Sequence, residues 1–247
     1  MSGTAPAARE WDSAVNGEEL SAAGPGRSLE RQVAERLGVL RERIAASGRD
    51  PASVKVVAVT KGLGSDVARA ALACGLTDLG ENYASELATK AAEVSSHASP
   101  GAPVPRWHFL GKIHRRDARK VAAFVSCWQS LASLHEAETL AAVAPGADVL
   151  VQVDVAGLPG RNGCRPGEVG GIVRGASSLG LSVIGLMAVG PPGEPDEARQ
   201  AFEWLAGMAH EMGLAEVSMG MSEDLETALR AGATMVRVGR ALFGPRA

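Results

Sequence analysis

The sequence predicts an α/β fold, a single (β/α)8 barrel of the TIM type with an extra N-terminal helix. Three observations support this prediction. Short apolar runs alternate with helical patterns eight times, which is the order typical of parallel α/β sheets. Several runs are apolar throughout, as expected for parallel strands that are buried on both faces. Eight such units within about 190 residues fit a compact barrel better than an open doubly wound sheet.

The N-terminal segment and the first helix have different compositions. Residues 1–27 are rich in Ala, Gly, Ser and Pro without a sustained apolar period, which predicts a disordered tail and leaves residues 28–247 as the barrel domain. Ser28 is a candidate N-cap, and apolar residues follow it at steps of three and four from Leu29 to Ile44. We therefore expect an amphipathic helix from Ser28 to near Gly48.

The eight apolar runs that follow are the expected strands. Between them, Pro195 opens a helix that Gly213 ends, and residues from Ser222 to Arg230 repeat the pattern with Gly232 as terminator. The first of these helices carries one apolar face, formed by Phe202, Leu205, Met208 and Met212. The expected strands are residues 54–60, 77–80, 107–111, 124–129, 149–155, 183–189, 216–219 and 235–239.

Charge and composition exclude several classes of protein. The 25 basic and 28 acidic residues give a net charge of −3, which lacks the basic footprint that nucleic acid requires. No apolar run approaches the roughly 18 residues that cross a bilayer, and no secretory signal is visible. We therefore expect a cytoplasmic protein with no nucleic-acid or membrane partner.

The cysteines predict neither a disulfide framework nor a metal site. Cys74, Cys127 and Cys164 lie far apart and form no CxxC pair, so the usual zinc spacing is missing. We expect all three to be small buried residues and no metal to be bound.

The end of the first strand carries the first candidate for chemistry. Reactive groups of such barrels gather at the C-terminal ends of the strands. Lys61 ends the first run and would point into the barrel mouth, where desolvation favours the neutral amine that forms imines. A lysine that simply reaches solvent fits this position equally well.

The last two strands predict a phosphate site. Barrels commonly bind phosphate at the loops after strands seven and eight, beside a helix N-terminus. Ser222 would cap that helix, and Arg237 lies within the final strand. The structural alternatives are a cap without a ligand for Ser222 and a salt bridge to Asp154 for Arg237. An imine-forming lysine, a phosphate cradle and an arginine between them describe a site for pyridoxal 5'-phosphate.

Six segments in this order resemble the pyridoxal phosphate homeostasis proteins, the YggS/PROSC family. The resemblance runs from about Ser28 to Gly244. The segments are VAVTK at 57–61, GENY at 80–83, WHFLG at 107–111, GLMA at 185–188, SMGMSED at 218–224 and VRVG at 236–239.

The resemblance implies a single barrel related to the N-terminal domain of alanine racemase, which binds the cofactor as a Schiff base without a well-established reaction of its own. It also implies the roles of the site residues. Lys61 would form the Schiff base, Ser222 with the backbone of Gly239 and Arg240 would hold the phosphate, Arg237 would face the ring nitrogen, and Asn82 would lie near the ring.

Some positions have a different expectation or depart from the family pattern. His108 is expected to be a packed, hydrogen-bonded barrel residue rather than an acid or base. Where the family usually has Leu-Gln-x-Asn-Lys after the third strand, this chain has residues 113–117 with the sequence IHRRD. Asp154 and Arg161 replace the family's asparagine and lysine near the fifth strand.

The resemblance implies a role in intracellular pyridoxal phosphate homeostasis, as storage, buffering or delivery to apo-enzymes that require the cofactor, without robust catalysis. A pyridoxal-phosphate-dependent amino-acid racemase is one alternative. It needs a base on each face of the substrate; Tyr83 is the only tyrosine, and we expect no second domain to supply another. A cofactor-free Schiff-base aldolase is the other alternative, and it needs an acid or base beside Lys61.

Overall fold

The structure is a closed barrel of eight parallel strands arranged in sequence order. It was obtained as a computed structural model and describes residues 25–158, 160–193 and 195–245. The strands are β1 Lys55–Val59, β2 Asp78–Glu81, β3 Arg106–Phe109, β4 Val125–Leu131, β5 Asp148–Val153, β6 Ser182–Ala188, β7 Glu216–Ser218 and β8 Met235–Val238. All eight predicted strands are therefore confirmed, with ends that differ by no more than two residues.

Helices follow the strands and surround the barrel. They are α1 Pro25–Ala46, α2 Ser65–Ala73, α3 Ala84–Ser96, α4 Arg115–Val121, α5 Leu134–Val143, α6 Val169–Ser178, α7 Pro195–Glu211, α8 Leu225–Arg230 and α9 Arg240–Phe243. Two short 3-10 helices, Pro51–Ser53 and Pro166–Glu168, precede β1 and α6. The extra N-terminal helix and the barrel are both as predicted.

The start of α1 corrects one prediction. The helix begins at Pro25 rather than at Ser28, because proline is well tolerated in the first turn, where its missing N–H would have no helical partner. The helix ends at Ala46, and Gly48 follows with a positive φ of 83°, a conformation that favours glycine. Residues 1–24, most of the segment predicted as a disordered tail, lie outside the described residues.

Apolar residues pack in two clusters. The larger one joins the strands to the surrounding helices and includes Val33 and Leu40 of α1 and Phe202 of α7. The smaller cluster comes from five strands and no helix, so it fills the barrel interior. Its buried members are Val57, Cys127, Leu150, Met187 and Met235.

His108 lies in a chain of hydrogen bonds inside the barrel. Its Nε2 is 2.8 Å from Oδ1 of Asp78, and its Nδ1 is 2.7 Å from Nε2 of Gln129. The side-chain carbonyl oxygen of Gln129 accepts a hydrogen bond of 2.7 Å from the hydroxyl of Ser218. Burial raises the pKa of Asp78, but the hydrogen bond and charge of His108 and the nearby Arg106 hold that pKa below its usual value. The prediction of a packed, hydrogen-bonded His108 is confirmed.

The cysteines follow the prediction in two cases out of three. Cys127 and Cys164 are buried, and burial raises the pKa of their thiols to about 12 and about 11. Cys74 is only partly buried, because it lies at the end of α2, where its sulfur is 3.4 Å from the carbonyl oxygen of Glu30. Within the described ranges, no helix is long and apolar enough to span a membrane.

Close approach of two strands generates a stability prediction at Gly185. A Cβ at this position in β6 would overlap the backbone carbonyl of Glu216 in β7, and backbone atoms cannot move aside as a flexible side chain can. We expect Gly185→Ala to lower the free energy of unfolding by about 1–3 kcal/mol, measured by urea unfolding. The control is Gly38→Ala in α1, where nothing lies within 4 Å and the change should stabilise by about 0.5–1 kcal/mol. Equal effects of the two changes would contradict the packing argument.

Candidate functional site

A cavity of about 520 Å³ opens at the C-terminal end of the barrel. The structure brings all of the sequence-predicted site residues to its wall, on loops and strand ends that are far apart in the chain. Apolar side chains, including Val59, Leu110 and Met187, form much of the remaining wall. The predicted residues at the cavity are Lys61, Asn82, Ser222, Arg237, Gly239 and Arg240.

The turn that carries Lys61 is held on both sides by α3. Before Lys61, the carbonyl oxygen of Thr60 accepts a hydrogen bond of 2.7 Å from Nζ of Lys90. After it, the N–H of Gly62 donates to Oε2 of Glu86 at 2.7 Å. Lys90 and Glu86 are also 3.2 Å apart on the same face of the helix. The backbone of Lys61 is therefore fixed at the mouth of the barrel.

Arg237 lies buried in β8 and reaches across to β7 and β6. Nη1 donates to the carbonyl oxygen and the hydroxyl of Ser218, both at 2.8 Å, and Nη2 donates to the carbonyl oxygen of Ala188 at 2.8 Å. The salt bridge to Asp154, considered from the sequence, is not formed, because that carboxylate accepts the N–H groups of Ala156 and Gly157 in its own loop. Burial lowers the pKa of Arg237 to about 10, although Asp224 opposes this change.

Ser222 has a different role from the predicted helix cap. Helix α8 begins at Leu225, after Asp224, whose carboxylate accepts the N–H of Met221 at 2.6 Å and closes the turn over residues 221–224. The Ser222 hydroxyl oxygen instead accepts the N–H of Ala241 at 3.2 Å, in the first turn of α9. The helix N-terminus at the cavity is therefore that of α9 and not that of α8.

The approach of β8 to β1 explains why glycine precedes α9. A Cβ at Gly239 would lie 3.2 Å from the carbonyl oxygen of Val59, so a larger residue would push the two strand ends apart. The first N–H groups of a helix have no intrahelical partner. Gly239 and Arg240 bring this part of α9 to the cavity wall, beside the hydroxyl of Ser222.

The charges on the cavity wall favour an anionic ligand. Lys61, Lys112, Arg237 and Arg240 contribute positive charge, and no carboxylate is found among the described lining residues. Arg240 is partly neutralised, since it pairs with Glu223 at 2.7 Å. A lysine amine, a helix N-terminus and apolar side chains in one cavity suit a flat, phosphate-bearing aldehyde.

Comparison with known proteins identifies the family. Residues 31–247 match the model described as the alanine racemase, N-terminal domain. A pyridoxal phosphate homeostasis protein of Pseudomonas aeruginosa is 36% identical over 228 residues, covering 89% of this chain and 96% of its own length. A protein of the same name from Deinococcus radiodurans is 38% identical over 214 residues, covering 84% and 97%. The chain belongs to the pyridoxal phosphate homeostasis protein family.

Solved structures agree with this membership. PipY of Synechococcus elongatus, determined without and with bound pyridoxal phosphate, is 32% identical, and the match covers 86% of this chain and all of that one. The TM-scores are 0.76 and 0.73. Alanine racemase of Corynebacterium glutamicum is 18% identical with a TM-score of 0.67, a similarity that concerns the fold alone. The predicted resemblance is confirmed.

Sequence reasoning missed the buried ion pair behind the lysine turn. Oε1 of Glu81 accepts hydrogen bonds of 2.6 Å from both Lys90 and the Thr60 hydroxyl, while its Oε2 has no partner in the described part of the chain. Burial raises the pKa of Glu81, against the opposing effect of these two partners. A carboxylate that ends an apolar strand and a lysine on the following helix were the available signals, but they do not reveal the pairing.

A second missed group forms the wall between β5 and the loop that follows it. The side-chain amide of Asn162 donates to Oε1 of Gln152 at 2.8 Å, and Nε2 of Gln152 donates to the carbonyl oxygen of Asn162 at 2.9 Å. Arg161, one of the departures from the family pattern, donates to the carbonyl oxygen of Gly190 at 2.9 Å. This residue therefore ties the β5 loop to the end of β6.

The buried pair generates a prediction for Lys90. We expect Lys90→Met to lower the free energy of unfolding by about 3–5 kcal/mol at neutral pH, because Glu81 is left buried without a cation. Burial already places the folded-state pKa of Glu81 above its usual value, so the folded protein binds this proton more tightly than the unfolded chain does. The free energy of unfolding of the variant should therefore decrease as the pH rises through the folded-state pKa of Glu81, and it should recover as the pH falls.

Urea unfolding at about pH 5 and about pH 8 measures this dependence. The double variant Lys90→Met/Glu81→Gln removes both charges and should regain part of the loss at the higher pH. If the stability of Lys90→Met did not depend on pH, the interpretation of Glu81 and Lys90 as a buried pair would be wrong.

Proposed function

We propose that this chain binds pyridoxal 5'-phosphate in the cavity and contributes to its homeostasis in the cytoplasm by storing, buffering or delivering it. The observation that supports this most strongly is that Lys61, Ser222 and the backbone of Gly239 and Arg240 line one cationic cavity. The names of the relatives and the cofactor in the PipY structure support the same conclusion.

The residues present fit the cofactor in separate parts of the cavity. Lys61 would hold it covalently as a Schiff base, with the amine nitrogen replacing the aldehyde oxygen, which leaves as water. The phosphate would be held by Ser222 and by the backbone of Gly239 and Arg240, beside the helix N-terminus. Asn82 would lie near the ring. When bound, the cofactor supplies an aldehyde carbon and a conjugated ring that can accept electrons.

Arg237 would face the ring nitrogen. Its guanidinium donates to neutral oxygens of Ser218 and Ala188. With a pKa of about 10 it is positively charged at neutral pH, and a guanidinium can only donate hydrogen bonds. A donor at this position disfavours protonation of the ring nitrogen, which weakens the electron sink that carbanion chemistry uses. This arrangement suits retention of the cofactor better than catalysis with it.

The two alternative functions have less support. A racemase needs a base on each face of the substrate, but Tyr83 is 59% exposed and belongs to a neighbouring groove rather than to the cavity wall. A cofactor-free aldolase needs an acid or base beside Lys61. Of the two carboxylates near its turn, Glu81 is fully buried and bonded to Thr60 and Lys90, and Glu86 is bonded to Gly62 and Lys90. We therefore propose that the chain passes the cofactor to apo-enzymes that require it.

The first test concerns Lys61. Borohydride reduces a Schiff base to a stable amine, so treatment of the protein loaded with pyridoxal phosphate should fix one pyridoxyl label on the peptide that contains Lys61. Lys61→Ala should abolish this label, as measured by peptide mass spectrometry, whereas Lys120→Ala should retain it. A label retained on Lys112 or Lys120 in the Lys61→Ala protein would show that another lysine holds the cofactor.

The second test concerns the phosphate. We expect Ser222→Ala to weaken binding of pyridoxal phosphate by about ten- to a hundred-fold, because it removes one hydrogen bond to a charged group, worth about 1.5–3 kcal/mol. Binding of pyridoxal, which has no phosphate, should change much less. Titration followed by absorbance measures both, with Ser178→Ala on the exposed surface of α6 as control. Unchanged affinity for pyridoxal phosphate would place the phosphate elsewhere.

A further inference from the structure

A second groove, of about 610 Å³, adjoins the cofactor cavity and shares Asn82 and Lys112 with it. It lies between the start of α3 and helix α4. Most of its lining residues are polar or positively charged, with Asp117 as the one carboxylate among the described ones. We call it the basic groove and define it by Tyr83, Lys112, His114, Arg116 and Lys120.

Positive charge is concentrated in this part of the chain. Residues 112–120 contain five lysines and arginines and a single acid, whereas the whole chain has a net charge of −3. Arg116 and Lys120 lie four residues apart in α4 and line the same groove. Like charges at this spacing repel one another on a helix. The arrangement is therefore unfavourable unless an anion is nearby.

The protein supplies little of this negative charge: Asp117 is the one carboxylate among the described lining residues, and Glu136 attracts Lys112 without forming an ion pair with it. Lys112, Arg116 and Lys120 form neither a hydrogen bond nor an ion pair through their side chains with any other described residue. Some cations elsewhere on the surface are paired, as Arg199 is with Asp196 and Glu203. The groove thus presents positive charge that is available to an external ligand.

The shape of the groove favours an extended ligand over a small ion. The cationic side chains are exposed and distributed along the groove, whereas a small anion is held best by donors that converge on it. Tyr83, 59% exposed, adds an aromatic surface at the edge. Tyrosine and arginine are enriched at protein interfaces, and complementary charge guides association.

We propose that the basic groove is a docking surface for an acidic segment of a partner protein. A segment bound there lies beside the opening of the cofactor cavity, because Asn82 and Lys112 belong to both walls. The identification of that partner as an acceptor of the cofactor rests on the proposed function. The docking surface itself rests on the charges and exposure of the groove.

The test measures binding of a fluorescein-labelled peptide of about ten glutamates by fluorescence anisotropy, with the protein both free of cofactor and loaded with pyridoxal phosphate. Binding should weaken between about 50 mM and about 300 mM salt. Arg116→Glu/Lys120→Glu should reduce the affinity by at least about tenfold. Arg41→Glu/Arg174→Glu, which changes the net charge equally on exposed parts of α1 and α6, should leave the affinity within about twofold of the parent.

Other outcomes would overturn the proposal. Absence of peptide binding, or equal losses in the two double variants, would mean that no specific surface exists. Tighter binding of a single-stranded oligonucleotide than of the peptide would indicate a nucleic-acid surface. Competition by inorganic phosphate at constant ionic strength would indicate a small-anion site.

Absorbance of the same samples separates this proposal from the proposed function. Both double variants should load pyridoxal phosphate as the parent does, since none of the changed residues lines the cofactor cavity. A protein that binds the peptide but takes up no cofactor would overturn the proposed function and leave the docking surface intact. A protein that loads cofactor normally but binds no peptide would overturn the docking surface alone.

Discussion

One buried cation links three neighbouring strands at the mouth of the barrel. Strands β7 and β8 share a single registered pair, Ser218 with Met235, and backbone hydrogen bonds from Thr234 to Val217 and from Met219 to Met235 extend their contact. Arg237 supplements it, because its guanidinium bonds to β7 and to the end of β6 and its own N–H donates to the carbonyl oxygen of Gly220. Burial of a guanidinium is costly unless its donors are satisfied. Here those contacts satisfy some of the guanidinium N–H donors of Arg237, and its pKa of about 10 leaves the side chain charged at neutral pH. The group that holds three strands together therefore also makes the cavity positive.

The end of β1, the strand paired with β8, is held by a different arrangement. Lys90 and Glu86 fix the backbone on either side of Lys61, with Glu81 as the buried counterion. Lys61 thus lies on a fixed turn after β1, and the close approach of Gly239 to Val59 places the start of α9 beside the end of that strand. Both ends of a bound cofactor would meet rigid elements, which lowers the conformational entropy lost on binding. A site of this kind can hold its ligand without the pair of bases that a racemase requires.

The sequence predicted the strands and the convergence of Lys61, Ser222 and Arg237 because both depend on local patterns, whereas the family resemblance implied the roles of Asn82, Gly239 and Arg240. Continuous apolar runs define parallel strands, and side chains at the C-terminal ends of barrel strands meet at one mouth. The start of α8 and the buried pair of Glu81 and Lys90 depend on tertiary contacts, which local patterns do not reveal. Ser222, Glu223 and Asp224 are all plausible near a helix start, and the turn closed by Asp224 onto Met221 selects among them. The pairing of Glu81 with Lys90 depends on how α3 packs against β1 and β2, which neither residue's neighbours reveal.

Helix α3 connects the cavity at Lys61 with the basic groove. It begins at Ala84, directly after Asn82 at the cavity wall and Tyr83 at the basic groove, and its Glu86 and Lys90 hold the turn that carries Lys61. A contact at the groove therefore acts on the same helix that fixes the turn of Lys61. A protein that transfers a cofactor has to retain it in the absence of a partner and release it when the partner binds. The partner can shift the equilibrium between the retaining and the releasing conformations only by as much as its affinity differs between them. A shared helix provides a physical route for such a difference, because displacement of its first turn would disturb the hydrogen bonds of Thr60 and Gly62 on either side of Lys61.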